Sequence, residues 1–304
     1  MSEIKPLALL LPNKDQLLYN IPLKKYTTFR VGGPADILAL PQNIDQVSSL
    51  IQYAQHHNIP FLVIGAGSNL LVSDQGFPGI VIRLAANFNH YEINDHYVET
   101  ESGLYLSALA KTAATSGLSG LEFAEGIPGT IGGGVTMNAG AFGGELSQVV
   151  QTVTVLNSET NEIKNLISSE LQFGYRQSLM QKQPYIILRT KFKLIPEDPE
   201  VIRKTMQQFA LKRKEKQPLN LPSAGSTFKR PEGHFVGTMI ETLNLKGFRI
   251  GDAAISEKHA GFIVNLGNAT AQDIYRLIHY IIDKVYVNFN IILEPEVKFI
   301  GSFE

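Results

Sequence analysis

The sequence predicts an α+β protein of more than one domain, and three observations predict it. A helix–strand–strand pattern with a glycine loop at a strand end occupies residues 43–84, an apolar glycine run occupies 126–144, and a proline- and acid-rich break falls at 195–200. At 304 residues, with 44% hydrophobic and 18% charged residues, the chain has the composition of a globular protein and the length for two or three cores.

Between Asn43 and Asn58, Val47, Leu50, Ile51 and Ala54 recur three and four apart, the stripe of an amphipathic helix that Pro60 ends. Phe61 to Ile64 reads as a buried strand leading directly into GAGSNLL (65–71), followed by a turn around Gly76, Pro78 and Gly79 and a strand over 80–84. A second helix is expected over 104–116, with Leu109, Ala110 and Ala113 on one face and Gly117 as its stop. Strands are expected over 149–156 and 185–194, joined across the turn-rich 157–162 and the loop FGYRQS (173–178).

Beyond the break, a helix over 201–216 ends in a basic cluster. The stretch QPLNLPSAGSTFKRPEG (217–233) is too rich in proline and glycine for regular structure and reads as a functional loop. Thr270 with Asp273 forms a capping signature for a helix carrying Ile274, Leu277, Ile278, Ile281 and Val285. A last strand over 291–300 would place Glu294, Glu296 and Lys298 on one face.

A net charge of -1 gives no basic field for nucleic acid. The absence of cysteine excludes disulfides, thiolate metal sites and a cysteinyl flavin link, and no histidine cluster suggests a metal. The apolar run Leu7 to Leu11 is short, is broken by Pro12 and leads into Asn13, Lys14 and Asp15, so no signal peptide is expected. No stretch reaches the roughly 18 continuous apolar residues of a membrane span, and a cytoplasmic protein is expected.

The two glycine segments read as halves of one cradle. Glycine lets backbone N–H groups approach an anion closely, so bare loops of this kind suit the diphosphate of a nucleotide-type cofactor. GAGSNLL has Leu70 where the third glycine of a dinucleotide fingerprint would sit, which argues against that fold. The run GIPGTIGGGVTMNAGAFGG holds eight glycines and no charge yet keeps Ile127, Ile131, Val135 and Met137. A flexible linker would be polar, whereas this composition suits a wall against a planar ring. The plainer reading of both segments is a tight turn.

TTFRVGGPA (27–35), GAGSNLL, GIPGTIGGGVTMNAGAFGGEL, YRQS (175–178), SAGSTFKRP (223–231), SEKHAGFIVN (256–265) and LEPEVKFIG (293–301) occur in order over nearly the whole chain. Together they resemble the UDP-N-acetylenolpyruvoylglucosamine reductase (MurB) family, in its shorter, second-type branch. The resemblance implies an FAD-binding fold of the vanillyl-alcohol oxidase (PCMH) type in two subdomains, 1–84 and 85–197. It further implies a smaller α+β domain for the UDP-sugar over 198–290 and a C-terminal strand, 291–304, returning to the active site. Non-covalent FAD is implied, with Gly65, Ala66, Gly67, Ser68, Asn69 and Leu70 of the first loop as contacts. The second segment would contribute Ile127, Pro128, Gly129, Thr130, Gly133, Gly134, Met137, Asn138, Gly140 and Ala141.

The same resemblance implies NADPH as co-substrate, a UDP-sugar as the other substrate and a monomer. Hydride from flavin N5 would reach the far carbon of an enolpyruvyl group, leaving charge on the adjacent carbon and its carboxylate. Arg176 matches the family's catalytic arginine, whose planar fork suits that carboxylate. Glu296 matches the catalytic glutamate, and Ser226 the donor of a proton to the second carbon. Of the basic residues flanking the 217–233 loop, Lys229 and Arg230 are the expected contacts to substrate phosphates, while His259 is read as structural. Gln177, Arg230 and Lys298 stand where relatives commonly carry aspartate, asparagine and arginine. Read alone, Arg176 is a surface ion-pair residue, Glu296 an edge-strand charge and Ser226 a loop hydrogen-bonder. A flavin oxidase acting on a sugar alcohol and a non-catalytic UDP-sugar sensor are the rival functions.

Overall fold

The computed structural model describes residues 4–11 and 13–304; Pro12, expected to break the N-terminal apolar run, lies outside them. The chain forms two compact units, one of Met1–Tyr19, Ile37–Ala66 and Gly79–Leu211, the other of Asn20–Asp36, Gly67–Pro78 and Lys212–Glu304. Each unit is assembled from separated segments. The last passage from one to the other falls inside a helix, at Leu211, and not at the 195–200 break.

In the first unit, helices α1 (Ile4–Leu10) and α2 (Ile44–His56) pack beside the strand Phe61–Ile64, which runs parallel to Phe77–Arg83. The Asn43 side chain accepts from the Gln46 N–H at 2.9 Å and starts α2, and Val47, Leu50, Ile51 and Ala54 are all buried. Leu7, Leu11, Ile80, Ile82 and Phe88 complete this core.

A second core of the same unit lies against an antiparallel five-stranded sheet, in the order Ile163–Ile167, Val150–Asn157, Tyr185–Lys193, Tyr97–Glu101, Tyr91–Asn94. Helix α3 (Leu106–Thr115) buries Leu109, Ala110 and Ala113 there, and Gly117 follows at φ +69°, the expected stop. Two helices differ from expectation. The glycine run contains a short helix, α4 (Ile131–Thr136), and α5 (Pro199–Lys216) begins at its proline, whose missing N–H costs nothing at a first helical position.

The second unit holds α6 (Val236–Thr242), a three-stranded antiparallel sheet of Arg249–Ile250, Ala253–Ile255 and Ile263–Asn265, and α7 (Ala271–Phe289). Thr270 and Asp273 exchange both capping bonds at 3.0 Å, as their spacing predicts. The Asp74 carboxylate also accepts from the Ala271 and Gln272 N–H groups at 2.9 Å, so a residue far back in the chain completes the helix start. Ile274, Leu277, Ile278, Ile281 and Val285 are fully buried with Phe29 and Leu71.

The terminal strand is shorter than expected, spanning only Lys298–Ile300, which pairs in parallel with Leu70–Val72. Residues 291–297 are irregular apart from a single bridge between Pro295 and Phe228, so Glu294, Glu296 and Lys298 do not share one strand face. Pro295 lacks the N–H that a continuous ladder needs. The 217–233 loop is free of helix and extended strand, as its composition predicts.

Candidate functional site

In the first unit the two glycine segments abut. A Cβ placed on Gly65, immediately after the strand Phe61–Ile64, would stand 2.2 Å from Thr130 Oγ1, so only glycine allows this approach. The second segment is pinned from behind: the Leu106 N–H donates to Gly129 O at 3.0 Å, the Ile131 N–H to Leu104 O at 2.8 Å and the Gly132 N–H to Ser102 O at 2.8 Å. Ile131 and Val135 are buried while Gly133, between them, is exposed. The Gly133 N–H has no acceptor among the described residues.

Gly133 is informative because the protein does not require it. A Cβ there would meet nothing closer than Thr130 Oγ1 at 3.9 Å, and its φ is not in the left-handed region. Glycine inside a helix is about 1 kcal/mol less favourable than alanine. A bare position on an exposed turn, unexplained by packing, leaves room for a group outside the chain.

Arg176 lies in the same unit and is tied to this segment. Its guanidinium donates to Gly140 O at 3.1 Å, and its backbone is left-handed at φ +54°. The Gly174 and Gln177 N–H groups close the loop by donating to each other's carbonyls at 3.1 and 3.2 Å. The Ser178 hydroxyl donates to Thr136 O at 2.7 Å. Asn138, expected as a cofactor contact, is fully buried; its amide donates to Gly174 O at 3.0 Å and its carbonyl oxygen accepts from the Ser147 N–H at 2.9 Å. An enclosed side chain spent on both ends cannot meet a ligand, so Asn138 holds the arginine loop instead. A cavity of about 360 Å³ lined by Phe123, Phe142, Gly144 and Phe209 lies beside the Gly140–Glu145 hairpin, but Gly65, Thr130, Gly133 and Arg176 do not line it.

In the second unit, Ser226 and Glu296 occupy neighbouring segments. Thr227, buried, donates its N–H to Gly261 O at 2.9 Å, accepts from the Glu296 N–H at 2.8 Å and receives the Ile263 N–H on its hydroxyl at 3.1 Å. Ser226 beside it is exposed and follows Gly225 at φ +77°. Asn69, from the first loop, donates its amide to Glu296 O at 3.1 Å and accepts from the Lys298 N–H at 2.9 Å. Lys229 forms an ion pair with Glu294, and the Arg230 guanidinium lies 3.8 Å over the Phe235 ring, so both expected phosphate contacts already have protein partners. His259 accepts the Gly261 N–H on Nδ1 at 3.1 Å, and burial lowers its pKa below the usual histidine value. A neutral ring that supports the turn bonded to Thr227 fits a structural histidine.

Residues 217–300 match the profile of the UDP-N-acetylenolpyruvoylglucosamine reductase C-terminal domain, and residues 35–166 match that of an FAD binding domain. The chain is 46% identical over 290 residues to the UDP-N-acetylenolpyruvoylglucosamine reductase of Clostridioides difficile (strain 630), covering 95% of each. It is 46% identical over 298 residues to that of Alkaliphilus oremlandii, covering 98% of this chain and 97% of the relative. The chain belongs to the UDP-N-acetylenolpyruvoylglucosamine reductase family. Among solved structures, the MurB reductase of Thermus caldophilus is similar with a TM-score of 0.80 at 37% identity, covering 92% of this chain and 98% of that one. The fold is therefore the expected α+β one, an FAD binding domain joined to the family's smaller C-terminal domain.

The residues present fit the flavin that membership implies. Gly65 against Thr130 and the bare turn at Gly133 supply backbone without side chains, and neither segment contains a charge or a histidine. Among the described residues there is no cluster of three metal-ligating side chains, and no helix is long and apolar enough to cross a membrane. The roles of Gln181 and Ser178 escaped sequence reasoning. Nothing local distinguishes a glutamine that bonds a carbonyl 45 residues away.

Proposed function

We propose that this chain is a cytoplasmic, monomeric, NADPH-dependent reductase that converts UDP-N-acetyl-3-O-(1-carboxyvinyl)glucosamine into UDP-N-acetylmuramate, a peptidoglycan precursor. The reading draws support from the near full-length 46% identity to curated reductases. The observation that carries it is the Arg176 guanidinium bonded to Gly140, inside the segment that fits the flavin. Residues 1–84 and 85–197 serve FAD, 198–290 serve the UDP-sugar, and 291–304 bring Glu296 into play.

The backbone at Gly65 and Gly133 would hold FAD, which when bound would supply hydride, with NADPH as its source, for the methylene carbon of the enolpyruvyl group. Arg176 and Glu296 hold the carboxylate region where negative charge develops, Arg176 offering a cationic fork to the enolate-like oxygens. Ser226 gives its proton to the adjacent carbon, which completes the new methyl-bearing centre. A serine is a weak acid in water, so this step needs a strongly basic acceptor in a site from which water is excluded. Lys229 and Arg230 are assigned to the substrate phosphates, which would have to displace Glu294 and Phe235 from them.

Anaerobic visible spectroscopy of the purified protein tests the function. Flavin colour should bleach with NADPH and return on adding the enolpyruvyl UDP-sugar. A colourless protein, or a reduced one that ignores the sugar and is reoxidised only by air, would overturn it. The cofactor seat has its own test in Gly133→Ala. We expect the apo protein to gain about 0.5–1 kcal/mol in denaturant unfolding while FAD is lost more readily during gel filtration. Unchanged FAD retention would remove Gly133 from the seat.

A further inference from the structure

We infer that Gln181 is a positioning residue for Arg176, fixing the main chain that aims the guanidinium; the inference rests on the role proposed above for Arg176. The Gln181 carboxamide has two N–H groups, and one donates to Arg176 O at 3.0 Å while the other donates to Thr136 O at 2.9 Å. Arg176 is thereby held at two points against one short stretch, its carbonyl through Gln181 to Thr136 and its guanidinium directly to Gly140.

The double hold has a physical reason. Arg176 adopts φ +54°, which crowds the Cβ of any residue other than glycine against its own carbonyl. Left alone, the loop would relax to ordinary backbone and swing the side chain away from the glycine segment. Asn138 and Ser178 restrain Gly174 and Ser178 at the loop ends, whereas Gln181 bonds the carbonyl of Arg176 itself. The carboxamide, with two donors on one nitrogen, satisfies both carbonyls; a carboxylate in its place would repel them.

The test compares Gln181→Met, which keeps length but removes both donors, with wild type and Arg176→Ala as FAD holoenzymes. In Gln181→Met we expect unchanged FAD content and unchanged flavin reduction by NADPH. Reoxidation by the enolpyruvyl UDP-sugar should slow about tenfold, the scale of a lost hydrogen bond, and hydrogen exchange at the 174–178 amides should quicken. In an Arg176→Ala background the same change should add no further slowing. Normal reoxidation, equal slowing of both half-reactions, unchanged amide exchange or an additive cost would each overturn the inference. Gln181→Glu, read identically and expected to be slower still, serves if Gln181→Met fails to fold. Slow Arg176→Ala with normal Gln181→Met removes this inference alone, while normal Arg176→Ala removes the arginine's role and this inference with it.

Discussion

Arg176→Ala should leave flavin reduction by NADPH near wild-type rates and slow hydride transfer to the enolpyruvyl sugar by roughly 10²-fold or more, about 3 kcal/mol, the scale of losing a preorganised electrostatic stabiliser. The selectivity follows from what the side chain does in the protein. One of its N–H groups donates to Gly140 O, and the loop is closed independently by the Gly174–Gln177 pair and by Ser178. Truncation removes a cation, its hydrogen bond to Gly140 O and its contact with the Tyr175 ring, but not the restraints on the loop backbone. Arg176→Lys should recover little, because a point charge cannot offer the planar fork a carboxylate accepts. Stopped-flow measurement of the two half-reactions checks both variants, and an unaltered oxidative half-reaction in Arg176→Ala would falsify the assignment.

Ser226→Ala is expected to bleach normally with NADPH yet to turn over the sugar roughly 10²–10⁴-fold more slowly, the range of a lost general acid. The structure makes this a clean deletion. The Ser226 side chain is exposed, its backbone bridges to Phe262, and the following Thr227 is fixed by bonds to Gly261, Ile263 and Glu296. Loss of a hydroxyl at such a position should change stability by no more than about 0.5 kcal/mol. If the variant completes turnover within a few-fold of wild type in deuterated and ordinary water alike, another group supplies the proton.

Elements with local signals were legible in advance. The strand over 61–64 and the helix starts at Asn43 and Thr270 follow from short-range spacing and caps, and the structure places them there. The α4 helix was hidden because three of its six residues are glycine and the other three are β-branched. It forms because Ile131 and Val135 are buried and residues 102–104 accept its first N–H groups. The terminal strand is shorter than its alternation of charge suggests because Pro295 lacks the donor a ladder needs. Arg176, Ser226 and Glu296 are assigned through their surrounding motifs, Arg176 in the first unit and Ser226 and Glu296 in the second. Asn138 was legible as present but not as enclosed, since burial is not written in a residue's neighbours.

By itself the sequence determined the periodic helices, the capped termini and the bare glycine-rich segments. Each of these depends on residues within a few positions of one another, where spacing carries the information. Only the tertiary structure decided that Asp74 starts α7, that Asn69 bonds beside Glu296, that Gly140 holds Arg176 and that Gln181 reaches Thr136. Those contacts join groups far apart in the chain, and a hydrogen bond between them exists only once burial of the surrounding core has brought the segments together.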